Sequence, residues 1–168
     1  MTTIVCWRSV DDGGRATLSL CADSRFRDGA GNTWDRGRKL FFSSVHADVF
    51  GFVGEALPPQ TVLGQLVDAI DSSSLGPRSS EPIQRLINYK SHIDDAIGNY
   101  PKTSSVGSLF ATRDDRSTAR PLCMWSIFFS PGATSGTTRV VPIGVSKSGL
   151  IGAFGSGAGN FKNVFKTV

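Results

Sequence analysis

Residues 1–25 read MTTIVCWRSVDDGGRATLSLCADSR, and their patterning sets the fold class. Thr3, Ile4, Val5, Cys6 and Trp7 are β-branched or bulky, so a strand begins almost at the first residue. Asp11-Asp12-Gly13-Gly14 is a turn signal, and Thr17 to Ala22 alternates as a second strand. Together they make a hairpin. The polar, Gly-rich stretch from Asp28 to Gly37 reads as a loop. Two short strands follow, Lys39–Phe42 and Val49–Val53.

Working outward, the period changes. Pro58-Pro59 opens a helix with Val62, Leu63, Leu66, Val67 and Ile70 on one face. A Ser/Gly/Pro connection, 72–80, leads to a second helix near Glu81-Pro82. Its stripe is Ile83, Leu86, Ile87, Ile93 and Ile97, and it ends before Pro101. Strand signals return at Ser105–Thr112, Leu122–Phe129, Thr138–Ile143 and Gly149–Phe154. The Gly-rich turn 155–159 then leads into a helix start at Phe161. Strands grouped on both sides of a helical pair predict a layered α+β domain rather than βαβ units. The length of 168 residues fits one domain, and 19 glycines suit a strand-rich chain with many turns.

Composition narrows the function classes. The net charge is +4, and the basic residues are scattered with one loose cluster at 36–39. A nucleic-acid binder carries a denser basic stripe with interleaved aromatics, so none is expected as a partner. Cys6, Cys21 and Cys123 are isolated, without metal spacing, and read as small apolar residues of a reduced, cytoplasmic protein. His46 and His92 have no partner ligands at metal spacing, so neither metal nor cofactor is expected. No apolar run is long enough to cross a membrane, and the N-terminus lacks a signal core. Trp7 and Trp125 lie in strand signals and are assigned to the core. Trp34 lies in a polar loop and reads as a lid on a cleft or a contact to a neighbouring subunit, the contact being favoured.

The chemistry starts at Thr2. A Thr behind the initiator Met becomes N-terminal once that Met is removed, and its α-amine can act as base for its own hydroxyl. An α-amine titrates near 8, so a useful fraction is neutral at pH 7. Asp23 ends the second strand and Lys39 begins the third, sixteen residues on. Adjacent strand ends can bring both to the N-terminus. A lysine there lowers the hydroxyl's pKa and an aspartate holds that lysine oriented. Gly54 closes the fourth strand and can offer an oxyanion N–H. Ser156 sits in a Gly-rich turn and can hydrogen-bond the amine. Read singly, Lys39 is equally a solvated strand-edge lysine and Asp23 a turn carboxylate paired with an arginine.

The ordered set Thr2-Thr3-Ile4-Val5, Cys21-Ala22-Asp23-Ser24-Arg25, Lys39, Gly51-Phe52-Val53-Gly54 and the stretch 149–157 resembles proteasome β subunits. The likeness extends to their bacterial ATP-dependent relatives among the N-terminal-nucleophile hydrolases. The resemblance implies a four-layer αββα sandwich over residues 1–168. It implies Thr2 as nucleophile, Lys39 tuning the hydroxyl, Asp23 orienting Lys39, Gly54 as oxyanion donor and Ser156 supporting the amine. It also implies a homo-oligomeric ring or double ring, unfolded polypeptide as substrate and an ATPase as partner.

Departures from the family pattern shape the expected cleft, which is assigned to Arg25, Phe26, Arg27, Val53 and Glu55. Phe26 and Arg27 stand where small and hydroxyl residues are common, and Glu55 where another small residue is. Only twelve residues follow Ser156, so the C-terminal helical layer is expected to be shortened, and a second supporting Asp has no counterpart. Two alternatives stand beside a threonine protease: an amidase of the same fold acting on a small amide, and a non-catalytic ring-forming subunit.

Overall fold

The computed structural model describes residues 2–27, 30–55, 57–75, 81–98, 100, 104–114, 116, 121–144 and 147–165. The N-terminal hairpin is β1 (Thr3–Val10) and β2 (Ala16–Ala22), turned at Asp11–Arg15. Strand β10 (Gly149–Gly155) pairs antiparallel with the other edge of β1, giving a three-stranded sheet β10-β1-β2. A second antiparallel sheet has the order β5-β6-β7-β8-β9. Its strands are β5 (Leu40–Phe42), β6 (Val49–Gly54), β7 (Val106–Arg113), β8 (Leu122–Phe129) and β9 (Thr137–Val140). Helices α1 (Leu57–Asp71) and α2 (Pro82–Gly98) lie between β6 and β7 in sequence, and α3 (Ala158–Phe165) follows β10. The domain is therefore mixed α+β, as the pattern of elements predicts.

Two cores form, and the alternation of side chains along strands separates them. Phe50 and Phe52 of β6, Phe110 of β7 and Trp125, Ile127 and Phe129 of β8 face the helices. They pack on the α1 stripe Val62, Leu63, Leu66, Val67 and Ile70 and on Leu86, Tyr89, Ile93 and Ile97 of α2. The opposite face of the same strands presents Val53, Leu109, Ala111 and Met124 to Ile4 and Cys6 of β1. Hence the two sheets stack on each other, and α3 lies against β1 and β10. Each such buried aliphatic or aromatic side chain contributes about 1.5–3 kcal/mol.

Several sequence expectations change. Ile83 and Ile87, assigned to the α2 stripe, are 49% and 53% exposed, and the buried face instead carries Arg85, Leu86, Tyr89, Ile93 and Ile97. Trp7 is 38% exposed, because β1 buries Ile4, Cys6 and Arg8 and period two turns Trp7 to the other face. The stretch assigned to a loop contains β4 (Thr33–Trp34), which pairs with β3 (Phe26–Arg27) in a two-stranded ladder. The ninth strand begins at Thr137 and ends at Val140, short of Ile143. Pro101 lies outside the described residues, while α2 runs to Gly98. No described helix is long and apolar enough to cross a membrane.

A buried polar network that the sequence does not announce ties α2 to the sheet. Asp48 is fully buried and accepts hydrogen bonds from the hydroxyls of Tyr89, at 2.9 Å, and Thr112. Arg85, 1% exposed, lies 3.6 Å from the Asp48 carboxylate and donates to Thr112 Oγ1 at 2.6 Å and to the Arg113 carbonyl at 2.7 Å. Buried charges are tolerated only when paired and hydrogen-bonded in this way.

Candidate functional site

The two stacked sheets bring five strand ends to one place. The β1–β10 register pairs Thr3 with Gly155, so Thr2 lies beside the turn that follows β10. There the Thr2 backbone N–H donates to Ser156 Oγ at 3.1 Å. Thr2 itself is 5% exposed. The close approach requires glycine at 155: a Cβ there would lie 1.9 Å from the Thr2 carbonyl oxygen, and its φ is +93°. Gly54, at the end of β6, is similarly constrained. It has φ +97°, and a Cβ would lie 2.2 Å from the Ser105 carbonyl oxygen.

Asp23, directly after β2, clamps the start of β1. Its N–H donates to the Thr3 carbonyl at 3.1 Å, and its Oδ1 accepts from the Thr3 N–H at 2.6 Å. Its other oxygen, Oδ2, accepts from Lys39 Nζ at 2.9 Å. Lys39 also donates to the Arg25 carbonyl at 2.5 Å. One carboxylate thus links a buried ammonium to the peptide group next to Thr2. A solvated edge lysine is excluded, since the Lys39 side chain is 0% exposed while that of Asp23 is 35% exposed. The arginine that might have taken Asp23 pairs elsewhere: Arg25 Nε donates to Asp35 at 2.5 Å. That bond raises the pKa of Arg25 and lowers that of Asp35.

Thr2, Val53, Gly54 and Ser156 line one cavity of about 380 Å³, together with Ser105, Phe128 and Gly155. Nucleophile candidate, oxyanion candidate and amine support therefore share a single space. Of the expected cleft residues, Val53 lines it, whereas Arg25, Phe26 and Glu55 do not. Arg25 contributes its carbonyl to Lys39 and turns its guanidinium to the surface. The Phe26 ring stacks on Phe52 at 6.1 Å and lies 5.0 Å from Lys39 Nζ. Trp34 packs on Phe26 at 5.6 Å and leaves about half of its surface exposed. Glu55 is half-buried beyond Gly54. Met1 and the Arg27 side chain lie outside the described residues.

Ser105 and Phe128 are the cavity residues that sequence reading missed. They reach it through the β6–β7–β8 register, which pairs Gly54 with Val106 and Gly107 with Phe128. Only the strand alignment could have signalled them. Among the described residues no three His, Cys, Asp or Glu side chains converge as a metal site. Burial pushes the Cys6 thiol up to about 12, which leaves it inert between the sheets. Compared with protein-family models and with curated proteins, the sequence matches none. The functional reading accordingly rests on residues and geometry.

Proposed function

We propose that this chain is a threonine-type amide hydrolase of the N-terminal-nucleophile kind, akin to proteasome β subunits. In this reading the domain is a four-layer αββα sandwich, with α1 and α2 outside the five-stranded sheet and α3 outside the three-stranded one. The observation that carries it is the convergence on Thr2. Ser156 holds its nitrogen, Gly54 shares its cavity, and Asp23 fixes the buried Lys39 to the adjoining peptide group.

After loss of Met1 the Thr2 nitrogen is a free amine. It takes the hydroxyl proton as Oγ1 attacks an amide carbonyl. The Lys39 charge favours the alkoxide, and the Gly54 N–H stabilises the oxyanion, an effect worth about 10²–10³ in rate. The C–N bond breaks as the amine returns that proton to the leaving nitrogen. Water, deprotonated by the same amine, then cleaves the acyl ester and regenerates Thr2. The substrate class is a peptide bond in an unfolded chain. The subunits form a cytoplasmic ring or double ring fed by an ATPase.

Intact mass measured with and without a threonine-directed β-lactone tests the reading. A species lacking Met1 should gain one adduct, and Thr2→Ala should abolish it while keeping assembly size. Undiminished hydrolysis by Thr2→Ala would overturn the mechanism. A folded Thr2-first chain that takes no adduct would leave the non-catalytic ring subunit as the better reading.

A further inference from the structure

If Thr2 is an amide-cleaving nucleophile, as proposed above, the cavity beside it decides what a substrate must present there. The leaving amine collects the proton held by the Thr2 nitrogen, so it departs on the side of that nitrogen. Ser156 accepts from the nitrogen at 3.1 Å and lines the same cavity as Val53 and Phe128. The leaving side of the substrate therefore enters this cavity.

One wall of it is a row of cross-strand neighbours. Val53 pairs with Gly107 and Gly107 with Phe128, so the three share the face of the five-stranded sheet that looks toward β1. Glycine is required in the middle of the row for space. A Cβ at Gly107 would lie 2.8 Å from Val53 Cγ2 and 3.0 Å from Phe128 Cζ. The Phe128 ring thus leans over bare backbone toward Val53, and the two make one continuous apolar surface. Shielding a glycine accounts for where the ring lies, as cross-strand aromatics do in sheets. It does not account for the ring's exposure. Met124 and Ser126, on the same face of β8, are 1% and 6% exposed, whereas Phe128 is 43% exposed. The open aromatic surface runs from buried Val53 along the wall of the cavity that holds Thr2, which is where a substrate would cover it. Among the described residues, none that lines this cavity is charged; its side-chain polar groups are the hydroxyls of Thr2, Ser105 and Ser156. A charged substrate residue would lose water there without gaining a counter-ion.

We propose that Val53, Gly107 and Phe128 form an apolar shelf for the residue on the leaving side of the scissile amide, and that the substrate carries a large, neutral, apolar side chain at that position. Phe128 sets the preference, and Gly107 sets how its ring lies.

The test uses protein released from a cleavable N-terminal fusion so that Thr2 is its first residue. The probes are acetyl-alanyl-X amides with X as Gly, Leu, Phe, Asp or Lys, cleavage of the Ala–X bond being read by product mass. A small unsubstituted β-lactone read by intact mass reports the nucleophile separately. Wild type should cleave the Leu and Phe substrates about 30-fold better, in kcat/KM, than the Gly, Asp and Lys substrates, within the range that an apolar pocket reaches. Phe128→Ser should lower the Phe-to-Gly ratio by about 10-fold, and Phe128→Leu by less. The wild-type series decides the shelf even where a variant fails to fold. A lactone adduct with all five amides cleaved alike overturns the shelf and leaves the hydrolase reading standing. A Phe-to-Gly ratio unchanged in folded Phe128→Ser overturns the role of Phe128. An adduct with no amide cleaved overturns the substrate assignment. No adduct on folded, Thr2-first protein overturns the hydrolase reading and this proposal with it.

Discussion

Replacing Lys39 by Met and Asp23 by Ala should have unequal consequences, although each breaks the same ion pair. Lys39 has no exposed side-chain surface, whereas Asp23 keeps about a third of its own. Asp23→Ala leaves an ammonium without its carboxylate in a place water does not reach. Breaking a buried pair from one side costs about 3–5 kcal/mol, and the partial exposure of Asp23 puts this case at the lower end. The same change strips the Thr3 N–H of its acceptor at 2.6 Å, worth about 1 kcal/mol at a half-exposed site. The sum is about 4 kcal/mol. Lys39→Met instead removes the group that is costly to bury. Asp23 keeps the Thr3 N–H and, being about a third exposed, turns its free oxygen to water. That variant should lie within about 1 kcal/mol of wild type, or above it. Urea unfolding followed by circular dichroism measures both. An Asp23→Ala variant within about 0.5 kcal/mol of wild type, or a Lys39→Met variant that loses more than Asp23→Ala, would refute this reasoning. A stable Lys39→Met protein that no longer takes the β-lactone would mark Lys39 as a residue kept for chemistry at the expense of stability.

Other outcomes follow from the same structure. Asp48→Ala should cost about 3–5 kcal/mol by stranding Arg85, and Asp48→Leu combined with Arg85→Met should recover most of it in the same unfolding assay. Hydrogen bonds from the Ser43 and Ser44 hydroxyls and the Ser44 N–H hold Asp71 at about 2, below its ordinary 3.8. Its folded-state pKa is depressed, so its stabilisation is present above the unfolded value and is lost as pH falls through about 2. Asp71→Asn should therefore flatten the fall of Tm between about pH 4 and 2. Native-state alkylation near pH 8 should modify exposed Cys21 first and leave buried Cys6 unmodified, as peptide mapping would show. Equal labelling of the two would mean that the sheets part readily.

Residues at strand ends were the legible part. Thr2, Asp23, Lys39, Gly54 and Ser156 each lie at or next to the end of a strand whose alternating or β-branched residues are plain in the sequence. The α1 stripe, Val62 to Ile70, was equally plain, whereas the α2 stripe was read only in part: Leu86, Ile93 and Ile97 are buried, but Ile83 and Ile87 are exposed and Arg85 and Tyr89 take the inner face. What depends on a partner distant in sequence was not. Arg85 looks like any polar helix residue until Asp48, Tyr89 and Thr112 surround it. Phe128 and Ser105 enter the cavity only through inter-strand register. Trp7 misled because bulk was read as burial, while the neighbours Ile4 and Cys6 had already claimed the inner face. The Phe26–Trp34 ladder was hidden by its length, since two-residue strands leave no periodicity to read.

The bond between Thr2 and Ser156 spans 154 residues, and this separation acts as a timer during synthesis. At about 5–20 residues per second, Thr2 waits roughly 8–30 s for its partner turn to be made. Until then β1 has β2 on one edge and bare backbone on the other. A nascent chain can therefore present Thr2 to processing enzymes while the amine has no support and the cavity has no far wall. Closure of β10 onto β1 ends that interval and withdraws Thr2 from solvent in the same step. On the proposed reading, the order of translation thus separates the interval in which the N-terminus is open to trimming from the one in which its site is assembled.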